Sequence, residues 1–120
     1  MKLGAAGEKI AARALRRDGY RITARNYSCP VGEIDLVALD GDTIVFVEVK
    51  TRRSGQSADP EANVHREKRR RLTRAAKYYL MQKKVQGQPC RFDVVSVVTD
   101  PGSDRPEVEH FVDAFGPTPR

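Results

Sequence analysis

Asp35, Glu48 and Lys50 are the residues whose types and spacing could do chemistry. Glu48 and Lys50 interrupt an otherwise apolar run, Phe46-Val47-Glu48-Val49-Lys50. Alternation along a strand puts Ile44, Phe46, Glu48 and Lys50 on one face, and Val45, Val47 and Val49 on the other. A carboxylate and an ammonium beside a core are costly unless they are paired or bound to an ion. In the preceding β-rich segment, Glu33, Asp35, Val37 and Leu39 share a face. Two carboxylates on a common face can hold a hard divalent cation, Mg²⁺ or Mn²⁺, with the Val49 carbonyl as a third protein ligand and waters and a phosphate oxygen completing the octahedron. Such a cation polarises a phosphodiester and acidifies a bound water. Lys50 would orient that water or offset charge developing in the transition state. The competing reading is a plain cross-strand salt bridge, the usual meaning of an isolated Glu-x-Lys. Against it, one lysine cannot neutralise Glu33, Asp35 and Glu48 together, and crowded like charges call for a cation.

These groups meet only if two strands pair with the right parity. Glu33–Leu39 and Thr43–Thr51 are rich in β-branched residues and joined by Asp40-Gly41-Asp42, a hairpin signal. Pairing Leu39 with Asp42 puts Glu33 opposite Glu48 and Asp35 diagonal to it. Pairing Leu39 with Ile44 puts Asp35 directly opposite Glu48. Either register gathers Asp35, Glu48 and Lys50 on one face; an odd-length loop between those alternatives would split them.

The elements around this hairpin follow from periodicity. A first helix is expected over Leu3–Arg17, with Ile10, Ala11, Ala14 and Leu15 on one stripe and Asp18-Gly19 as its stop. Glu8 shares a stripe with Ala11, Ala12 and Leu15, so it faces the core or its edge. There it would join the metal site, position its water, or simply complement the helix dipole. Tyr20–Tyr27 reads as a strand and Ser28–Gly32 as a turn. After a polar loop over Arg52–Ala62, a second helix is expected over Asn63–Lys84, with Leu72, Ala75, Ala76, Tyr79 and Leu80 as its apolar stripe. Arg91–Thr99 is a strand whose valines suit burial on both faces. Glu107–Phe115 reads as a final strand rather than a short helix. The order α-β-β-β-α-β, with a helix between the third and fourth strands, suits a mixed central sheet flanked by helices. One domain is expected over residues 1–115, followed by a frayed tail at 116–120.

Charge points to a partner. The chain has 120 residues, and Lys and Arg outnumber Asp and Glu by 22 to 16, a net charge of +6. Arg66, Lys68, Arg69, Arg70, Arg71, Arg74 and Lys77 load the second helix with cations, while Arg52 and Arg53 follow the Glu-x-Lys strand directly. Arg52, Arg53, Lys68, Arg69, Arg70 and Arg74 are the candidate contacts to nucleic-acid phosphates. Lys68 also lies on the stripe of Leu72 and Tyr79, which aims it at the site or leaves it snorkelling into solvent. No base-reading motif is present. With 2 cysteines and 2 histidines and no Cys-x-x-Cys, a Cys/His zinc centre is not indicated, and two reduced, part-buried thiols are expected. No stretch approaches the ~20 apolar residues of a membrane span. Charges interrupt the N-terminal segment too often for a signal peptide, so a cytoplasmic protein is expected, with no membrane partner.

At Gly32-Glu33-Ile34-Asp35, Val47-Glu48-Val49-Lys50 and Arg91-Phe92-Asp93 the sequence resembles the YraN family of small bacterial proteins. Gly7-Glu8, Arg25-Asn26-Tyr27, Arg52, Lys68 and Ala114-Phe115 extend the resemblance in order along nearly the whole chain. The family is placed in the restriction-endonuclease-like PD-(D/E)xK superfamily and is distantly similar to Holliday-junction resolvases. The resemblance implies an α/β, restriction-endonuclease-like α-β-β-β-α-β core. It carries metal ligation to Asp35 and Glu48, the catalytic lysine to Lys50, and an auxiliary acid to Glu8. In the loop before the second helix the family often has an aromatic-Gly-x-Pro pattern, whereas this chain reads Ser57-Ala58-Asp59-Pro60. The function so implied is a metal-dependent nuclease acting on DNA, selective for branched or structured forms, for which a homodimer would suit a symmetric junction. Two other readings stand beside it: a non-catalytic nucleic-acid-binding module of the same fold, and a protein whose basic helix meets an acidic partner protein.

Overall fold

The computed structural model describes residues 3–55 and 64–117. The elements run α1 (Leu3–Arg17), β1 (Arg21–Cys29), β2 (Gly32–Asp40), β3 (Thr43–Arg53), α2 (Arg66–Gln82), β4 (Cys90–Thr99) and β5 (Glu107–Phe115). They form one mixed sheet with strand order β1-β2-β3-β4-β5. Only β3 and β4 are parallel, and α2 lies in the crossover that a parallel pair requires. No helix is long and apolar enough to cross a membrane among the described residues.

Each face of the sheet has its own core. On one face Ile34, Val37, Ile44, Phe46, Phe92 and Val94 pack under Leu72, Ala75, Ala76 and Tyr79 of α2. On the other, Leu36, Ala38, Val45, Val47, Val95 and Val97 pack under Ala11, Ala12 and Leu15 of α1. The middle strands are therefore apolar on both sides, as the valine run of β4 requires. Tyr79, on the apolar stripe of α2, is a core residue edge-on to Tyr27 and Phe46.

Helix ends differ from expectation where backbone, not hydrophobic period, decides. The second helix spans Arg66–Gln82 rather than 63–84. Its last turn closes with Lys83 N–H on the Tyr79 carbonyl, and Lys84 enters the left-handed region at φ 55°. Asn63, the loop residues Ser57–Pro60 and the end of the tail (118–120) lie outside the described residues. The first strand starts at Arg21 and runs through Cys29, into the segment expected to turn. The third extends to Arg53, so Arg52 and Arg53 belong to the strand rather than to the loop after it. Cys29 is part-buried but Cys90 is exposed, and both are free thiols.

α1 approaches β3 closely at Gly7, where a Cβ would overlap the Thr51 hydroxyl. Alanine is ordinarily the better helix former by about 1 kcal/mol. Here Gly7→Ala is expected to destabilise the fold by about 1–3 kcal/mol through overpacking, read as a lower urea midpoint. An unchanged or raised midpoint would mean that α1 shifts freely over β3.

Candidate active site

The hairpin register is the second of the two alternatives. Leu39 pairs with Ile44, and the ladder runs from Asp40↔Thr43 to Leu36↔Val47. Gly41 opens the tight turn at φ 59°, a position that favours glycine. The next pair in this register would be Asp35 and Glu48, and there the ladder stops. In place of a backbone partner, the Asp35 carboxylate accepts the Val49 N–H at 2.8 Å. The β1 side is irregular at the same level. Arg25 pairs with Leu36 and Tyr27 with Ile34, while Asn26 between them sits at φ 49° and is skipped.

This opening lets carboxylates from both faces of the sheet meet. Glu48, on the α2 face, is only 5% exposed. Glu8 reaches the same place from α1 and shares side-chain hydrogen bonds with Asn26 and Asp35. Asp35 also shares a hydrogen bond with Glu48, so the three carboxyls form a row with Asp35 in the middle. Burial, and then the charge of Asp35, pushes the Glu48 carboxyl up to about 7, against the lowering effect of Lys68. Burial and Asp35 also raise Glu8. Neighbouring carboxylates disfavour one another's charged form.

Lys50 is on the Glu48 face. The β3–β4 register is unbroken from Ile44↔Cys90 to Arg53↔Thr99, so alternation holds along the whole strand. Lys68 projects from α2 onto the Glu48 carboxylate as an ion pair. A cavity of about 290 Å³ opens here, lined by Glu33, Asp35, Glu48, Lys68 and Arg71 among others. Of the six candidate phosphate contacts, Arg52, Arg53, Lys68, Arg69, Arg70 and Arg74, Lys68 is the one that lines this cavity. Arg70 and Arg74 are exposed on α2, Arg53 is exposed and Arg52 part-buried at the end of β3, and Arg69 is part-buried with its Nε shielded from solvent.

Sequence reasoning passed over Asn26 and Arg71 as site residues. Asn26 carried a signal, because asparagine is among the few residues that tolerate left-handed backbone. Arg71 was one arginine in a run, and only the helix rotation singles it out. A larger cavity, about 610 Å³, lies between α1 and the β4–β5 loop and is lined by Arg13, Arg17 and Arg105. It contains no carboxylate pair.

Among the described residues no group of three His, Cys, Asp or Glu side chains converges as a metal cage. Asp35 and Glu48 nonetheless fit Mg²⁺, which takes one or two carboxylates and keeps several waters. Their adjacency, and the burial and Asp35 charge that raise Glu48 against the pull of Lys68, are what a hard cation would relieve.

A second polar cluster supports the frame. Asp93 is fully buried. It accepts from Arg91 Nε at 3.0 Å, His110 Nε2 at 2.7 Å and the Asp113 N–H at 2.9 Å. Arg91 also reaches Asp40 at 3.0 Å and the Tyr20 hydroxyl at 2.6 Å. This ties β4 to β5, to the hairpin end and to the turn after α1. Arg91-Phe92-Asp93 is thus a structural signature, remote from the carboxylate row.

The model of "Uncharacterised protein family UPF0102" matches residues 7–97. A UPF0102 protein of Moorella thermoacetica is 52% identical over 97 residues, covering 81% of each chain. Another, from Syntrophus aciditrophicus, is 44% identical over 115 residues, covering 96% of this chain and 89% of its own. A third, from Geotalea uraniireducens, is 45% identical over 113 residues, covering 94% and 88%. The matched span takes in Glu8, Asp35, Glu48, Lys50, Lys68 and Asp93, and on this similarity the chain belongs to UPF0102, the YraN family.

Proposed function

We propose that this protein is a metal-dependent nuclease that hydrolyses phosphodiester bonds in DNA, with branched or structured DNA as the preferred substrate. The observation that carries the reading is the meeting of Asp35 and Glu48 where β2 and β3 part, one held by the Val49 N–H and the other buried and raised to about 7. Asp35 and Glu48 would hold Mg²⁺ or Mn²⁺, with the Val49 carbonyl as a further donor. The cation, when bound, supplies charge neutralisation at the phosphate and a more acidic water.

The chain's own residues do the rest. The Val49 N–H fixes the Asp35 carboxylate without using a freely rotating side chain. Lys50 shares the face of Glu48 and offers a cation to the phosphate oxygens or to the attacking water. Glu8, protonated more readily than an ordinary glutamate, can hold or pass a proton at Asp35. Arg52, Arg53, Lys68, Arg69, Arg70 and Arg74 supply sequence-independent attraction to the phosphate backbone.

The pairing of Lys68 with Glu48 favours one alternative, a nucleic-acid-binding module that does not cleave, since an internal ammonium can stand in permanently for a metal. The test separates the two. Labelled Holliday-junction, flap, single-stranded and duplex DNA are incubated at low salt with Mg²⁺, Mn²⁺ or EDTA. Cation-dependent cleavage supports the nuclease and ranks its substrates. Salt-sensitive binding without cleavage on any substrate supports the module. Light scattering on the same samples tells whether the protein works as a homodimer.

A further inference from the structure

Lys68 contacts the same carboxylate that the metal-site reading assigns to a divalent cation. The Lys68 ammonium is in contact with Glu48 Oε2, whose side chain is 6% exposed, while the Lys68 side chain is 49% exposed. A half-exposed lysine thus places its ammonium on a buried carboxylate in the wall of the cavity. Mg²⁺ needs carboxylate oxygens at about 2.0–2.1 Å. An ammonium cannot remain in contact with an oxygen so occupied, because two cations at that separation in a partly desolvated site repel strongly. Lysine is suited to leave: it is a point charge on a flexible four-carbon stem, and here half of it is already in solvent. Leu72, one turn on, is buried and anchors the helix, so the side chain can swing without moving α2.

We propose that Lys68 gates metal entry, acting as a displaceable internal counter-ion that holds Glu48 in the metal-free protein and is expelled when a divalent cation binds. This rests on the metal-site reading above. Lys68 is then a positioning residue. It keeps the buried carboxylate compensated between turnovers and sets the cation concentration at which the site loads. Arg71 lines the same cavity and is the comparison cation for the Lys68 ion pair.

The experiment is a calorimetric titration of MnCl₂ and of MgCl₂ into the full-length protein without nucleic acid, in parallel with thermal melts. The variants are Lys68→Met, Lys68→Arg, Arg71→Met and Glu48→Gln. Lys68→Met is expected to bind the cation about tenfold more tightly than wild type and to show a larger metal-induced rise in Tm. Lys68→Arg should retain weak, wild-type-like affinity, and Arg71→Met should change it by no more than about two- to threefold, the scale of a screened neighbouring charge. Glu48→Gln should lose binding. Equal or weaker binding by Lys68→Met, or an equal gain from Arg71→Met, overturns the gating role and leaves the metal site standing. Absence of saturable binding in wild type and every Lys68 variant overturns both.

Discussion

Glu48→Ala is expected to abolish cation-dependent cleavage, a loss of about a thousandfold or more, without unfolding the protein. Glu48→Gln separates the chemistry from the folding. In the metal-free protein the Glu48 carboxyl is raised to about 7 because it is buried and lies beside Asp35. A carboxyl raised on folding favours the native state while protonated, and that advantage is lost as pH climbs from the ordinary glutamate range through about 7. At pH 8 the wild-type protein therefore carries an ionised, poorly solvated carboxylate, only partly compensated by Lys68. The neutral isostere should be more stable there by on the order of 1–3 kcal/mol, and the difference should vanish near pH 5. Thermal melts at the two pH values in EDTA measure it. A residue that costs stability and is needed for turnover belongs to a site; one whose removal lowers stability at both pH values and leaves cleavage intact is part of a structural ion pair, and that outcome would sink the assignment of the metal site to Glu48.

Asp93→Ala should be the most damaging substitution to the fold, at about 3–5 kcal/mol, the range for removing one partner of a buried charged network. It would strip His110, Arg91 and the Asp113 N–H of a common acceptor at the β4–β5 seam. Burial alone would raise this carboxyl, but the hydrogen bonds from His110, Arg91 and Asp113 together hold it below the usual aspartate range. Its contribution is therefore in place above the ordinary aspartate pKa and disappears as pH falls through the lowered value. Urea denaturation at pH 7 and near pH 3 should show the wild type losing its advantage over Asp93→Asn at the lower pH. A loss below about 1 kcal/mol for the alanine variant at pH 7 would mean that Arg91 is held well enough by Asp40 and Tyr20 alone.

The two residues illustrate how like motifs carry unlike roles. Glu48 and Asp93 are both acids in valine-rich strands beside a basic residue. Asp93 has donors on three sides and a lowered pKa, which describes a buried strut. Glu48 has another carboxyl beside it, one long cation reaching in from solvent, and a raised pKa. Only the second arrangement is poised to take up a positive ion.

Much of the fold was legible because it follows local periods. The spacing of small and apolar residues places α1 over Leu3–Arg17, and alternation places β5 over Glu107–Phe115, both as observed. That Glu48 and Lys50 share a face follows from the same period of two, whereas Asp35 joins them only if the loop has the right parity, which the Leu39↔Ile44 pairing supplies. Three matters belonged to tertiary structure alone. The choice of Leu39↔Ile44 over Leu39↔Asp42 depends on how the two cores close on the hairpin, and both turns are locally allowed. The parting of β2 from β3 at Asp35 falls where Asn26 leaves the β1 ladder and Glu8 arrives from the opposite face, a convergence of segments distant in sequence. The pairing of Lys68 with Glu48 depends on the rotation of α2 over the sheet, set by burial of Leu72, Ala75, Ala76 and Tyr79. The sequence by itself determined which residues share a face along a regular strand such as β3, because backbone geometry makes that a local property; where alternation breaks, as between Ile34 and Leu36, and which faces meet, was decided by packing, because it is a property of the whole chain.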